Sequence, residues 1–187
     1  MNDYIALKTT LGTNRFLKPV LQNVGGYFTA LFARTVPRHI KEFFTSRPKT
    51  NVRVTNLGQS AHLLYRGEAV KSYSVGDLLY EGPMTTTMFG TLPYYGHGMT
   101  VLPYAMTRPG FFNLRVSKMS LPKVLSHLRS IWKGTYHGDD IADWHCSHIK
   151  IEYDRPMPYQ LGGDAQGWRT SIEVRVSPQV VNLLRFI

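Results

Sequence analysis

Residues 90–116, GTLPYYGHGMTVLPYAMTRPGFFNLRV, set glycines and prolines among aromatic side chains and close on a run that alternates like a strand. Tyr94-Tyr95-Gly96-His97-Gly98 suits neither a helix nor a strand interior, because glycine is costly in both and permits backbone angles other residues avoid. It predicts a shaped loop. Arg108-Pro109-Gly110 is a turn signal, and beyond it Phe112, Leu114 and Val116 fall on one face of a strand. An aromatic loop is thus held between ordered elements.

Working outward towards the C-terminus, Ser120 to Lys133 carries the clearest helical pattern. Leu121, Val124, Leu125, Leu128, Ile131 and Trp132 form one apolar stripe, with Lys123, His127, Arg129 and Lys133 off it. Ser120 is placed to cap it, Pro122 lies in its first turn, and Gly134 ends it. The pattern predicts one amphipathic helix lying across a sheet. A period of two returns at 146–153 and 171–176, with Pro156, Pro158 and Gly162-Gly163 bracketing a short strand between them.

Working outward towards the N-terminus, the period is two from Asn51 onward. Val52 and Val54 alternate with Arg53 and Thr55, a turn at Asn56-Leu57-Gly58 predicts a hairpin with Ala61–Tyr65, and turns at Arg66-Gly67-Glu68 and Gly76-Asp77 lead into further short strands. Such close turn spacing predicts an antiparallel sandwich or barrel-like domain over 51–187, α+β but mostly β. Residues 1–50 differ. Asn14 is placed to cap a helix whose stripe holds Phe16, Leu17, Val20, Leu21, Val24, Phe28, Leu31 and Phe32, and a second short helix is expected at Arg38–Phe44. This helical segment is expected to pack on the main domain, and an unpartnered stripe of that kind would also support a homodimer.

The chain has 187 residues, enough to bury a core without disulfides, and its single Cys146 cannot form an intrachain bridge. A cytoplasmic location is the expectation, with no signal peptide and no spanning run of apolar residues. The net charge of +10 favours anionic partners, whether nucleic acid, acidic lipid or phosphorylated substrate. Nucleic acid is the least supported, since no motif of a nucleic-acid module accompanies the charge.

His137, His145, Cys146 and His148, with Asp139, Asp140 and Asp143, carry donor atoms that suit a metal, but their spacing matches no zinc motif and no metal ligand is assigned. No Gly-x-Ser-x-Gly elbow supports acyl transfer, and neither a Gly-x-x-x-x-Gly-Lys-Ser/Thr loop nor a Gly-x-Gly-x-x-Gly turn offers a nucleotide phosphate cradle. Gly162-Gly163-Asp164 leaves a carboxylate among glycines, open to a ligand, yet the same residues also spell a tight hairpin turn.

The order Thr91-Leu92-Pro93-Tyr94-Tyr95-Gly96-His97-Gly98, then Pro103-x-Ala105 with Gly110, Leu114, Val116, the helix, Trp132-x-Gly134, and Gln160-Leu161-Gly162-Gly163-Asp164 before Pro178, resembles the C-terminal domain of the diacylglycerol kinase and sphingosine kinase family of lipid kinases. The resemblance covers about residues 52–186. It implies a β-rich domain that receives a lipid, closing on an N-terminal nucleotide domain that this chain lacks, with ATP and Mg2+ serving the complete enzyme and a peripheral contact with anionic membrane at the inner face. Asp164 falls on the family's acidic residue and is the implied catalytic group, with Tyr94, Tyr95, His97, Tyr104, Arg108 and Phe111 as the implied substrate-binding set. Two positions depart from the pattern: Gly162 replaces an Asp, and Pro109 stands where the family has another.

Overall fold

The computed structural model describes residues 49–96 and 98–179. The helical expectations for 1–44, the closing segment from Val180, and His97 lie outside the described residues; Thr50, at the edge of the expected helical segment, already opens a strand.

In chain order the strands are β1 (Thr50–Asn56), β2 (Ala61–Tyr65), β3 (Glu68–Tyr73), β4 (Leu78–Met84), β5 (Thr86–Gly90), β6 (Tyr94–Gly96), β7 (Met99–Thr100) and β8 (Phe112–Ser117). Two short helices follow, α1 (Leu121–Ser126) and α2 (Leu128–Trp132), then β9 (Ile141–Cys146), β10 (His148–Leu161) and β11 (Asp164–Arg175). A four-stranded sheet has the order β11-β10-β1-β4, and a five-stranded sheet the order β3-β2-β9-β8-β5. Every pairing whose register is resolved is antiparallel.

The core lies between the two sheets. Val52, Val54, Ile149 and Ile151 project from the first, and Phe112, Leu114, Val116, Trp144 and Cys146 from the second, all essentially inaccessible. Period-two alternation makes this possible, since each strand turns every second side chain inward. The fold is a mostly β sandwich, as expected, and neither sheet closes into a barrel.

Three local expectations are corrected. β1 and β2 are not a hairpin; they belong to different sheets, because the intervening turn is an arch around Asn56. That side chain is fully buried, its amide donates to the carbonyls of Gln59 (3.0 Å) and Ser74 (3.0 Å), and the Leu57 N–H bonds across to His148 O at 2.9 Å.

The single helix is broken at His127, whose φ of −111° and ψ of 15° leave the helical range. Ser126 Oγ donates to Lys123 O (3.0 Å) and His127 Nδ1 lies 3.1 Å from the same oxygen, so side chains compete with the backbone for a helix carbonyl. Neither helix has a buried residue, and Ser120 makes no side-chain cap.

Lastly, Pro156 and Pro158 do not bracket a short strand but lie inside the 14-residue β10. β1 pairs with β10 only as far as Tyr153, so prolines at alternate positions beyond it omit their N–H on an edge that no neighbour needs. The turn that joins β10 to β11 is Gly162-Gly163, with φ of +56° and +100°, the double positive φ of a type I′ hairpin. Its surroundings, Gln160–Gln166, fall in a different compact unit from Lys49–Tyr159 and Gly167–Gln179. Among the described residues no helix is long and apolar enough to cross a membrane.

Candidate functional site

The strand that ends the opening stretch is buried on both faces. Phe112, Leu114 and Val116 enter the core, while Asn113, Arg115 and Ser117 point to the opposite side and are buried as well. Antiparallel register sets Arg115 against Asp143 and Asn113 against His145 on the neighbouring strand. The Arg115 guanidinium donates from Nε to Asp143 Oδ1 and from Nη2 to Oδ2, both at 2.8 Å, and Asn113 Nδ2 adds a third bond to Oδ1 at 3.0 Å. Two opposite charges that far from water persist because a bidentate fork and an added donor fill the carboxylate's lone pairs.

This polar row carries the loop above it. The Tyr104 N–H donates to Asn113 Oδ1 (3.2 Å), and its carbonyl accepts from Thr107 Oγ1 (2.7 Å) and from His145 Nε2 (2.9 Å). His145 therefore holds its proton on Nε2, shared with Thr107 Oγ1 at 2.9 Å. Phe111 packs its ring 6.4 Å from that of His145 and 6.0 Å from that of His62, and the Arg108 guanidinium covers the Phe111 face at 4.3 Å. Burial, and then Arg108 and His145, push the His62 pKa down.

Three of the six implied substrate residues, Tyr104, Arg108 and Phe111, are thereby gathered on one side of the five-stranded sheet. The Tyr104 phenol approaches His137 Nδ1 (3.3 Å) beside a cavity of about 70 Å³ that Asp143 and Arg66 also line. Burial raises the Tyr104 pKa, with Asp143 adding to the shift, so the phenol stays protonated at neutral pH.

Tyr94 and Tyr95 stand apart on β6, which pairs with β7 in a separate two-stranded sheet rather than forming irregular loop, and both are more than half exposed. The Leu102 N–H bonds to Pro93 O at 3.2 Å at the base of this sheet. Leu92 and Met106 are similarly exposed, the latter at a φ of +67° that few non-glycine residues adopt. Asp164 is exposed and opens β11 directly after the glycine turn.

The metal-bearing residue types do not converge. Among the described residues no group of three His, Cys, Asp or Glu side chains is placed to hold an ion. Cys146 is sealed in the core with its thiol pKa pushed far up by burial, His148 bonds Glu173 at 2.7 Å, and Asp143 and His145 are used as above. Asp140 accepts from Tyr136 Oη (2.7 Å) and pairs with Lys123 Nζ (3.0 Å). Proline at 109 and glycine at 162 have no side-chain oxygen, so neither position can ligate Mg2+.

Sequence reasoning missed Asn113, Arg115 and Asp143 as a unit, placing only Phe112, Leu114 and Val116 on a shared strand face. The available signal was charge of opposite sign, Arg115 between Leu114 and Val116 on one alternating strand and Asp143 between Ala142 and Trp144 on another.

Comparison with known proteins agrees with this architecture. The profile of the YegS C-terminal NAD kinase beta sandwich-like domain matches residues 65–185. The chain belongs to this family. It is the same assignment as the C-terminal domain of the diacylglycerol kinase family reached from the opening stretch and the Gly162-Gly163-Asp164 turn. A crystal structure of a diacylglycerol kinase from Bacillus anthracis str. Sterne is similar at a TM-score of 0.37 and 13% identity, over 69% of this chain and 51% of that one. The chain thus spans about half the length of that protein. Among curated proteins none matches.

Proposed function

We propose that this chain is the lipid-receiving domain of an ATP-dependent lipid kinase, diacylglycerol kinase-like, which phosphorylates a lipid hydroxyl only together with a nucleotide-binding domain. The family match over 65–185 carries the reading. It is supported by the exposed Leu92, Tyr94, Tyr95 and Met106, apolar surface of the kind an acyl chain can cover, and by Arg108 held on the Phe111 ring near them in sequence. Asp164 would position the hydroxyl; no heavy atom lies within 4 Å of a Cβ built on either preceding glycine, which leaves room for a substrate.

ATP and Mg2+ would serve the complete enzyme, since phosphoryl transfer rests on positioning and charge neutralisation that a nucleotide-binding domain would supply. The basic surface would hold the assembled enzyme peripherally on anionic lipid at the cytoplasmic face. The second reading, a lipid-binding module without catalysis, draws on Pro109 and Gly162, which remove two acidic positions.

Transfer of labelled phosphate from ATP to diacylglycerol in mixed micelles tests the proposal. It is expected from the chain joined to a nucleotide domain and not from residues 1–187 alone, and Asp164→Asn should lower it by about a hundredfold or more. Robust transfer by the isolated chain would refute the incomplete-enzyme reading. If the joined protein binds ATP and phosphorylates nothing in a lipid panel, the binding module stands instead. Sedimentation of the chain tests the homodimer expected from the apolar stripe of residues 16–32.

A further inference from the structure

Where the expected helix breaks, the chain forms a cleft of about 300 Å³, lined by Ser126, His127, Arg129, Ser130, Lys133 and Thr135. That volume is at the lower end of ligand sites. Its lining holds a guanidinium, an ammonium, an imidazole and three hydroxyls, and no carboxylate. Arg129 and Lys133 are four residues apart on α2 and its helical C-cap, so they stand one turn apart on one side, where like charges repel. Among the described residues neither has a carboxylate partner, in contrast to nearby Lys123, which pairs with Asp140.

The hydroxyls and backbone fix this lining. Ser130 Oγ donates to His127 O at 2.8 Å, and Ser126 Oγ lies 2.9 Å from His127 Nδ1. The His127 ring is braced edge-on against Tyr136, centroids 5.0 Å apart. The carbonyls of Arg129, Ser130 and Ile131 all accept backbone N–H groups, from Lys133, Thr135 and Gly134 respectively, which satisfies these three of the helix's terminal oxygens.

We propose that this cleft binds a phosphate group through the charges of Arg129 and Lys133, while the hydroxyls of Ser126, Ser130 and Thr135 donate to the carbonyls of Lys123, His127 and Ser130 and hold the lining in shape. The guanidinium fork suits two phosphate oxygens and the ammonium acts as a point charge. A phosphomonoester offers the oxygens to meet both, whether it is a lipid headgroup or a soluble ion. The site is distinct from the residues assigned to the lipid hydroxyl, and it stands or falls without any phosphoryl transfer.

The test uses the whole chain with three probes: inorganic phosphate, phosphatidylcholine vesicles containing phosphatidic acid, and vesicles matched in charge with phosphatidylserine. Binding is followed by vesicle co-sedimentation and by the imidazole NMR signals of His127. The expected result is a His127 shift with phosphate or phosphatidic acid, and about tenfold or greater weakening in Arg129→Gln/Lys133→Gln, with no such loss in the charge-matched control Lys71→Gln/Lys150→Gln. Arg129→Lys should recover part of the binding.

A response to inorganic phosphate as well as phosphatidic acid identifies a free phosphate group as a sufficient ligand; a response to phosphatidic acid vesicles alone identifies the lipid headgroup. Either supports the cleft. Equal binding of both vesicle types by wild type and both double variants, without a His127 shift, would mean diffuse surface charge and overturn the proposal. So would the absence of binding to all three probes.

Discussion

Replacing Arg115 by methionine removes two charge-assisted hydrogen bonds from Asp143 and leaves a carboxylate whose side chain is only 8% exposed with a single neutral donor, Asn113. Breaking a buried pair from one side costs about 3–5 kcal/mol, since the remaining charge stays desolvated and unpaired. Against a total stability of about 5–15 kcal/mol for an ordinary domain, that is a large share. With a urea dependence of about 2 kcal/mol per molar, the midpoint of unfolding should fall by about 2 M. The sandwich offers its own control. Arg53 grips Glu81 with the same guanidinium atoms, Nε at 3.1 Å and Nη2 at 2.6 Å, but both side chains are more than half exposed. Arg53→Met should shift the urea midpoint little, because solvent screens this exposed pair. The deciding variant is Arg115→Met/Asp143→Leu, which removes both charges; it should be more stable than Arg115→Met alone, because nothing charged is left buried. Urea unfolding followed by Trp fluorescence reads all three. If Arg115→Met is as mild as Arg53→Met, or if the double variant is no more stable than Arg115→Met alone, the buried pair is not what holds this face together.

Three further outcomes are expected. Gly163→Ala should destabilise by about 1–2 kcal/mol in thermal unfolding, since its φ of +100° strains any side chain while the space around it is open; a neutral result would mean the turn relaxes. Burial opposes ionisation of Asp140, but the hydrogen bonds from Tyr136 and Lys123 outweigh it and hold the carboxyl below its ordinary 3.8. A group whose folded pKa is depressed adds stability that is full above its unfolded pKa and is lost as pH falls through the folded value, so Asp140→Asn should erase part of the acid sensitivity below about pH 4, measured by melting temperature against pH. Cys146, with its pKa raised by burial, should resist alkylation at neutral pH until the domain unfolds; rapid labelling of the native protein would contradict its place in the core.

Much of the sandwich was legible because half-buried strands write their inner face every second residue. Val52 and Val54, Phe112, Leu114 and Val116, and Ile149 and Ile151 all land in the core where the alternation puts them. Partners were less legible than strands. Val52–Thr55 and Ala61–Tyr65 look like a hairpin, and only the burial of Asn56, with its bonds to distant carbonyls, sends the second strand to the other sheet. The break at His127 was hidden for a similar reason: the apolar stripe continues through it, while the competing hydroxyl and imidazole at Ser126 and His127 act on a scale that periodicity averages away. In the candidate site, the turn at Gly162-Gly163 followed from local residue types, whereas the stacking of Arg108 on Phe111 did not. The row of Asn113, Arg115, Asp143 and His145 did not, because it depends on register between strands about 30 residues apart, which no local pattern specifies.

The grip on residue 104 is on its peptide groups and not on its ring: Asn113 takes the N–H, His145 and Thr107 take the carbonyl, and the phenol reaches away to His137. Anchorage and the ring's own contact are thereby carried by different atoms of one residue. The side chain at 104 can be exchanged while the same three bonds keep the loop in place, so the identity of this residue and the shape of the loop are separable.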